Sequence, residues 1–112
     1  MKSDVAIAAL SALANEHRLA AFRHLVERGQ QGSAAGQIAE ALNLPASSLS
    51  FHLSHLVRAG LAVQRRAGRS IVYSANYAAM NGLVAYLTEN CCGGADCSGG
   101  AAFAKNAAPT AA

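Results

Sequence analysis

Apolar side chains recur three and four positions apart in five stretches of this chain, the spacing that gathers them on one flank of a helix. The pattern predicts helices over residues 4–14, 16–29, 33–43, 44–59 and 77–90. The predicted core positions of the second and third helices are Leu19, Phe22, Leu25, Val26, Ile38, Ala39 and Leu42. Between the last two helices, residues 61–75 indicate two short strands around a turn at Ala67-Gly68.

Residues that begin and end helices stand at the predicted boundaries. Asn15 and Asn76 are suited to cap the second and fifth helices, and Ser3 or Asp4 the first. Gly29 and Gly60 follow the second and fourth helices, where glycine adopts the left-handed conformation at low cost. The short connection before Pro45 leaves room only for a tight turn, so the third and fourth helices form a helix-turn-helix.

The fourth predicted helix has two different faces. Leu49, Leu53, Leu56 and Val57 gather on one flank. The opposite flank is small, rich in hydroxyls and free of carboxylates, and it carries Ser47, Ser50, Phe51, Ser54 and Arg58, with His52 at its edge. Ser48 is a further candidate for DNA contact. Such a face can lie close to a polyanion, where hydroxyls donate to phosphates or base edges and Phe51 can contact a thymine methyl.

The hairpin after this helix carries Arg65, Arg66 and Arg69 around its turn. A short helix, a polar-faced helix and a basic hairpin make a winged helix-turn-helix, in which the second helix enters the major groove of DNA. The fold class predicted is therefore mainly α (α+β), with about five helices and a two-stranded wing. The alternative is an ordinary amphipathic helix beside a solvated basic hairpin.

Charge supports a nucleic-acid partner. The net charge is only +3, but no Asp or Glu occurs from Ala41 to Thr88, where four arginines lie. Much of the 53% hydrophobic content is alanine, which buries little area, so we expect two chains of 112 residues to pair. The predicted homodimer surface comprises Val5, Leu10, Leu13, Met80, Leu83, Val84 and Leu87.

Three cysteines follow the last helix, at Cys91, Cys92 and Cys97. Soft thiolates select thiophilic ions, and a pyramidal set of three sulfurs suits As(III) or Sb(III), whose lone pair occupies the fourth direction. A redox switch, a soft divalent metal such as Cd or Pb, and cysteines without a role remain open. His17 and His24, seven residues apart, are interpreted as solvated or hydrogen-bonded side chains.

The sequence resembles the ArsR/SmtB family of metal-responsive repressors over about residues 5–92. The residues that carry the resemblance are Ser47, Ser50, His52, Leu53, Leu56, Ala59-Gly60-Leu61, Arg66, Gly68-Arg69 and Tyr73. The resemblance implies a dimer formed by the first and last helices. Its arsenic-responsive members imply a sensing site with Cys91 and Cys92 as principal ligands and Cys97 as the third. The family's cysteine motif near the recognition helix and its zinc site on the last helix are absent.

These observations predict three segments: a DNA-binding and dimerisation domain over residues 1–90, a sensing segment over 91–97, and a disordered tail over 98–112. We expect a dimer that binds an inverted-repeat operator and leaves it when the metalloid binds. No signal peptide or membrane span is recognised, so a cytoplasmic location is expected. A thiol oxidoreductase is the rival class, but the chain has no nucleotide-binding glycine motif and no C-x-x-C in a βαβ setting.

Overall fold

The computed structural model describes residues 1–94. It contains five helices, three strands and a final tight turn at Cys91–Gly94. In chain order the elements are α1 (Ser3–Leu13), α2 (Glu16–Arg28), β1 (Ser33–Ala34), α3 (Ala35–Leu42), α4 (Ala46–Arg58), β2 (Ala62–Ala67), β3 (Ser70–Ala75) and α5 (Tyr77–Leu87). The five predicted helices and the hairpin wing are therefore confirmed.

Two asparagine caps fix the ends of helices as predicted. The Asn15 side chain accepts hydrogen bonds from the backbone N–H groups of His17 and Arg18, at 2.9 and 3.1 Å. The Asn76 side chain accepts from Ala79 N at 3.1 Å and donates to the Gly60 carbonyl at 2.9 Å. Asn76 therefore both begins α5 and joins it to the chain that leaves α4.

The predicted cap of α1 is wrong. The helix already includes Ser3 and Asp4, and Lys2 occupies the N-cap position without a side-chain hydrogen bond. The Asp4 carboxylate instead accepts from its neighbour Val5 N at 2.9 Å. A carboxylate in the first turn still interacts favourably with the positive end of the helix dipole.

The sheet has a third strand that the sequence pattern did not predict. The strand order is β1-β3-β2, and all neighbours are antiparallel. Ser33 pairs with Tyr73, so α3 begins at Ala35 and not at Ser33 as predicted. Because β1 has only two residues, it shows no alternation, and its pairing with β3 depends on the tertiary fold.

The core forms where α4 packs on α2 and α3. Its fully buried large side chains are Leu25, Ile38, Leu49, Leu53, Leu56 and Leu61. The Tyr77 hydroxyl donates to the Val26 carbonyl at 2.8 Å and holds the start of α5 against α2. The apolar flank of α4 is therefore anchored, and its polar flank faces outward.

Leu19 was predicted in the core, but it is 43% exposed. The buried residues of α2 are Ala21, Phe22 and Leu25. At ~100° per residue, Leu19 points about 110° away from the centre of that group.

Within residues 1–94, no helix is long and apolar enough to cross a membrane.

Candidate DNA-binding surface and cysteine segment

The outer face of α4 is the candidate recognition surface. The structure exposes Ser47, Ser48, Ser50, Phe51, Ser54 and Arg58. Phe51 is the large apolar side chain among them, at 59% exposed. A phenyl ring left in water on a core-anchored helix offers an apolar contact to a partner, and its hydroxyl neighbours offer hydrogen bonds.

His52, also predicted to contact DNA, is half-buried at the edge of this face. Its ring centroid lies 5.5 Å from that of His17, across the α2–α4 junction, and its Nδ1 atom is buried without a hydrogen-bond partner among the described residues. Burial, reinforced by the nearby Arg18, His17 and His55, lowers the pKa of His52. The structure thus gives the ring a packing position between two helices.

We expect this histidine to make the fold less stable in acid. Its pKa is lowered in the folded state, so the unfolded chain binds the proton more readily and stability falls as the pH drops below about 6.5. Urea unfolding at pH 7.5 and 5.5 measures the loss, and His52→Gln should reduce it. Some loss should persist, because desolvation and the charges of Arg18 and Arg58 also lower the pKa of His55. An equal loss in His52→Gln and the original chain would contradict the assignment.

The wing turns one residue later than predicted. Ala67 pairs with Ser70, so the loop consists of Gly68 and Arg69, and Gly68 has φ = 64°. This positive φ is the conformation that a two-residue hairpin loop favours and that glycine adopts at low cost. The loop presents an exposed arginine at the tip of the wing.

The three arginines of the wing are exposed but not equivalent. Arg65 donates through Nη2 to the backbone oxygen of Gln31 at 2.8 Å, which joins β2 to the loop before β1. No hydrogen bond is formed by the side chains of Arg66 and Arg69 within residues 1–94. Arg66 and Arg69 are therefore the wing cations available to phosphates, and Arg65 also positions the wing.

Two basic side chains at the recognition surface, one on α4 and one on α2, were not among the predicted DNA-binding residues. His55 lies one turn after Phe51, with its ring centroid 4.8 Å from the phenyl ring. Arg18, at the start of α2, donates through Nε to the carbonyl of Ala12 at 2.6 Å. The spacing of Phe51, His55 and Arg58 along one helix could have indicated His55, whereas the approach of Arg18 depends on the fold.

The predicted dimer surface is mostly open in the single chain. Val5, Leu10, Val84 and Leu87 are exposed, whereas Leu13 and Met80 are half-buried. Ile7, which was not predicted, is exposed beside them. Leu83 is only 7% exposed, so it belongs to the core of its own protomer and offers little area to a partner.

The cysteine segment begins directly after α5. Cys91 and Cys92 are exposed, and Cys91 N donates to the Thr88 carbonyl at 3.0 Å. Cys92 has φ = 60° and takes part in a disulfide, so it must be reduced before it can act as a thiolate ligand. Cys97 and the tail of residues 98–112 lie outside the described residues. Within residues 1–94, no three His, Cys, Asp or Glu side chains cluster to hold a metal ion.

Comparison with known proteins identifies the chain. A family model described as a helix-turn-helix domain matches residues 13–65. NolR from Sinorhizobium fredii has a similar structure, with 34% identity, a TM-score of 0.61, and coverage of 78% of this chain and 84% of NolR. An ArsR-like transcriptional regulator from Rhodococcus sp. RHA1 has 23% identity, a TM-score of 0.68, and coverage of 96% and 90%. The chain belongs to the ArsR family.

A third similar structure is a homodimeric winged helix-turn-helix DNA-binding domain, Mb0332 from Mycobacterium bovis, a possible ArsR-family regulator. It has 28% identity, a TM-score of 0.61, and coverage of 78% of this chain and 81% of that domain. A search of curated proteins found no match. The chain is therefore a DNA-binding transcriptional regulator of the ArsR family, and the winged helix-turn-helix predicted from the sequence is confirmed.

Proposed function

We propose that this ArsR-family protein is a homodimeric repressor that leaves its operator when As(III) or Sb(III) binds its C-terminal cysteine thiolates. The observation that carries the proposal is the position of the cysteines. Cys91 and Cys92 follow α5, which packs on α1 and is joined to α2 by the hydrogen bond from the Tyr77 hydroxyl to the Val26 carbonyl. A ligand bound there can act on the arrangement of the body without entering the DNA surface.

The operator contact is assigned to the outer face of α4 and to the wing. Ser47, Ser50, Phe51 and Ser54 stand exposed on a helix anchored by buried leucines. Arg66 and Arg69 supply cations for the backbone. A two-fold dimer reads two half-sites about one turn apart, so the operator should be an inverted repeat.

The dimer contact is assigned to α1 and α5. Val5, Ile7, Leu10, Val84 and Leu87 leave apolar side chains in water on these helices. Exposed apolar patches of this kind mark interaction surfaces, and Mb0332, a similar structure, is homodimeric. If α5 joins the two protomers, a change at its C-terminal end can alter the spacing of the two recognition helices.

Operator release measured against metalloid concentration tests the proposal. The operator is first selected from random duplexes, and the bound complex is then titrated with arsenite or antimonite in a non-thiol reductant, since added dithiols would compete for the metalloid. We expect a loss of operator affinity of about 5–150-fold, the usual range of allosteric coupling. Selection of an operator that neither metalloid releases would refute the sensing function and leave DNA binding intact.

A redox-sensing repressor is the second candidate, and the disulfide at Cys92 favours it. In that case oxidation, not a metalloid, would alter the end of α5. The same operator complex, treated with peroxide in the absence of arsenite, distinguishes the two functions. Release by peroxide together with indifference to arsenite would establish the redox function instead.

We expect the recognition face to set sequence preference. Ser50→Ala and Phe51→Ala should each weaken the selected operator by about 1–3 kcal/mol and spare random DNA, because base-edge contacts carry the sequence information. The ratio of the two affinities, measured at one salt concentration, gives the result. Ser3→Ala is the matched control for Ser50→Ala, because it makes the same change at an exposed position of α1. If Phe51→Ala weakens binding to the selected operator and to random DNA equally, Phe51 does not contact the bases.

A further inference from the structure

A basic cleft lies beside the recognition surface, between α1, α2 and α4. Its volume is about 290 Å³, and its polar lining consists of Ser11, Arg18, His55 and Arg58. The remaining lining residues are alanines, so no carboxylate lines the cleft. Of the four polar groups, only Arg58 was predicted from the sequence to contact DNA.

The positive charges of the cleft converge. Partial desolvation, Arg18 and Arg58 each lower the pKa of His55, which means that both guanidinium groups act on the same imidazole. The Nε of Arg18 is committed to the Ala12 carbonyl, but its two terminal nitrogens form no hydrogen bond within residues 1–94. Three cationic or titratable groups therefore share one solvent-open space, without an acid to balance them.

The helix dipoles do not cancel this charge. α1 and α4 both end at the cleft, and each C-terminus carries a partial charge of about −0.5. Two arginines carry +2, so a net positive charge of about one remains even while His55 is neutral. An anion in the cleft would stabilise both guanidinium groups and raise the pKa of His55 towards its ordinary value.

We propose that the cleft holds one phosphate group, and that this group belongs to the backbone of operator DNA. The inference rests on the proposed DNA-binding function and extends the contact from α4 and the wing to α1 and α2. The operator backbone is favoured over a free phosphate compound because the cleft is continuous with the recognition surface. Arg58 lies on both, and His55 packs against the exposed Phe51 at 4.8 Å.

The salt dependence of DNA binding tests this contact. Arg18→Gln and Arg58→Gln should each reduce the slope of log affinity against log salt by less than one unit per protomer, because the remaining arginine still partly neutralises the shared phosphate. The double variant should reduce the slope by about one unit per protomer, because that phosphate is then no longer neutralised. Arg23→Gln is the matched control, because Arg23 lies on α2 but lines a different, apolar cleft. Its slope should equal that of the original chain.

If Arg18→Gln fails to fold because it loses the hydrogen bond from Arg18 Nε to the Ala12 carbonyl, His55→Gln provides a second test. It should weaken random and selected DNA alike and leave the melting temperature unchanged. Slopes and affinities that stay unchanged in Arg58→Gln and His55→Gln would overturn the proposal. Failure of the original chain to bind any duplex would instead refute the proposed function.

Titration with inorganic phosphate separates the two sources of the anion. The ring protons of His55 are followed by NMR, first with a duplex and then with phosphate alone. We expect the duplex to shift them and phosphate to shift them only at concentrations far above that of the duplex. Saturation by submillimolar phosphate, together with unchanged salt slopes in the variants, would overturn the backbone assignment in favour of a free phosphate compound.

Discussion

Cys91→Ser/Cys92→Ser is expected to bind the operator as tightly as the original chain and to ignore arsenite. Both cysteines are exposed and follow α5, so they lie outside the part of the chain that holds the recognition helix and the wing. A serine hydroxyl is a hard donor that does not replace a thiolate for a thiophilic ion. The expected release of about 5–150-fold should therefore shrink to about onefold in the same titration.

Cys97→Ser is the matched control for this prediction, because it makes the same atomic change in the same segment. We expect a smaller loss of response, since solvent or a small thiol can complete the set of three ligands. Thiolates bind the metalloid, so the arsenite concentration needed for release should also rise as the pH falls. If the double variant leaves the operator at the same arsenite concentration as the original chain, Cys91 and Cys92 are not the sensing ligands.

Much of the fold could be predicted because its determinants are local. The Asn15 and Asn76 caps act on N–H groups two or three residues away. The apolar flank of α4 likewise depends on neighbours within one or two turns. So does the loop at Gly68, which was predicted one residue too early. The outer face of α4 could be predicted for the same reason, since helical spacing alone places Ser50 and Phe51 opposite the buried leucines.

What escaped prediction depends on contacts between distant residues. β1 exists because Ser33 meets Tyr73, forty positions later, and two residues carry no period of their own. The contact of His52 with His17 depends on the packing of α2 against α4. The position of Arg18 in the cleft lined by His55 depends on the same packing. Spacing along one helix could not show which element would cover each of its edges.

Gly32→Ala is expected to destabilise the fold severely, by about 2–5 kcal/mol. Gly32 has φ = 75°, and a Cβ at this position would overlap the backbone oxygen of Tyr73. The added methyl group therefore meets both backbone strain and a carbonyl that belongs to the β1–β3 pairing. Relief requires β1 to separate from β3, which would also disturb the loop that Arg65 holds through Gln31.

Gly36→Ala provides the control, because it adds the same methyl group four residues later. Gly36 lies in α3 and a Cβ there meets nothing within 4 Å, so the variant should be unchanged or more stable by up to about 1 kcal/mol. Urea unfolding of both variants is compared at one protomer concentration, since dimerisation makes apparent stability depend on concentration. Equal stability of Gly32→Ala and Gly36→Ala would show that β1 does not hold this loop against β3. A large loss of stability in Gly32→Ala alone would instead identify β1 as the element that fixes the base of the wing.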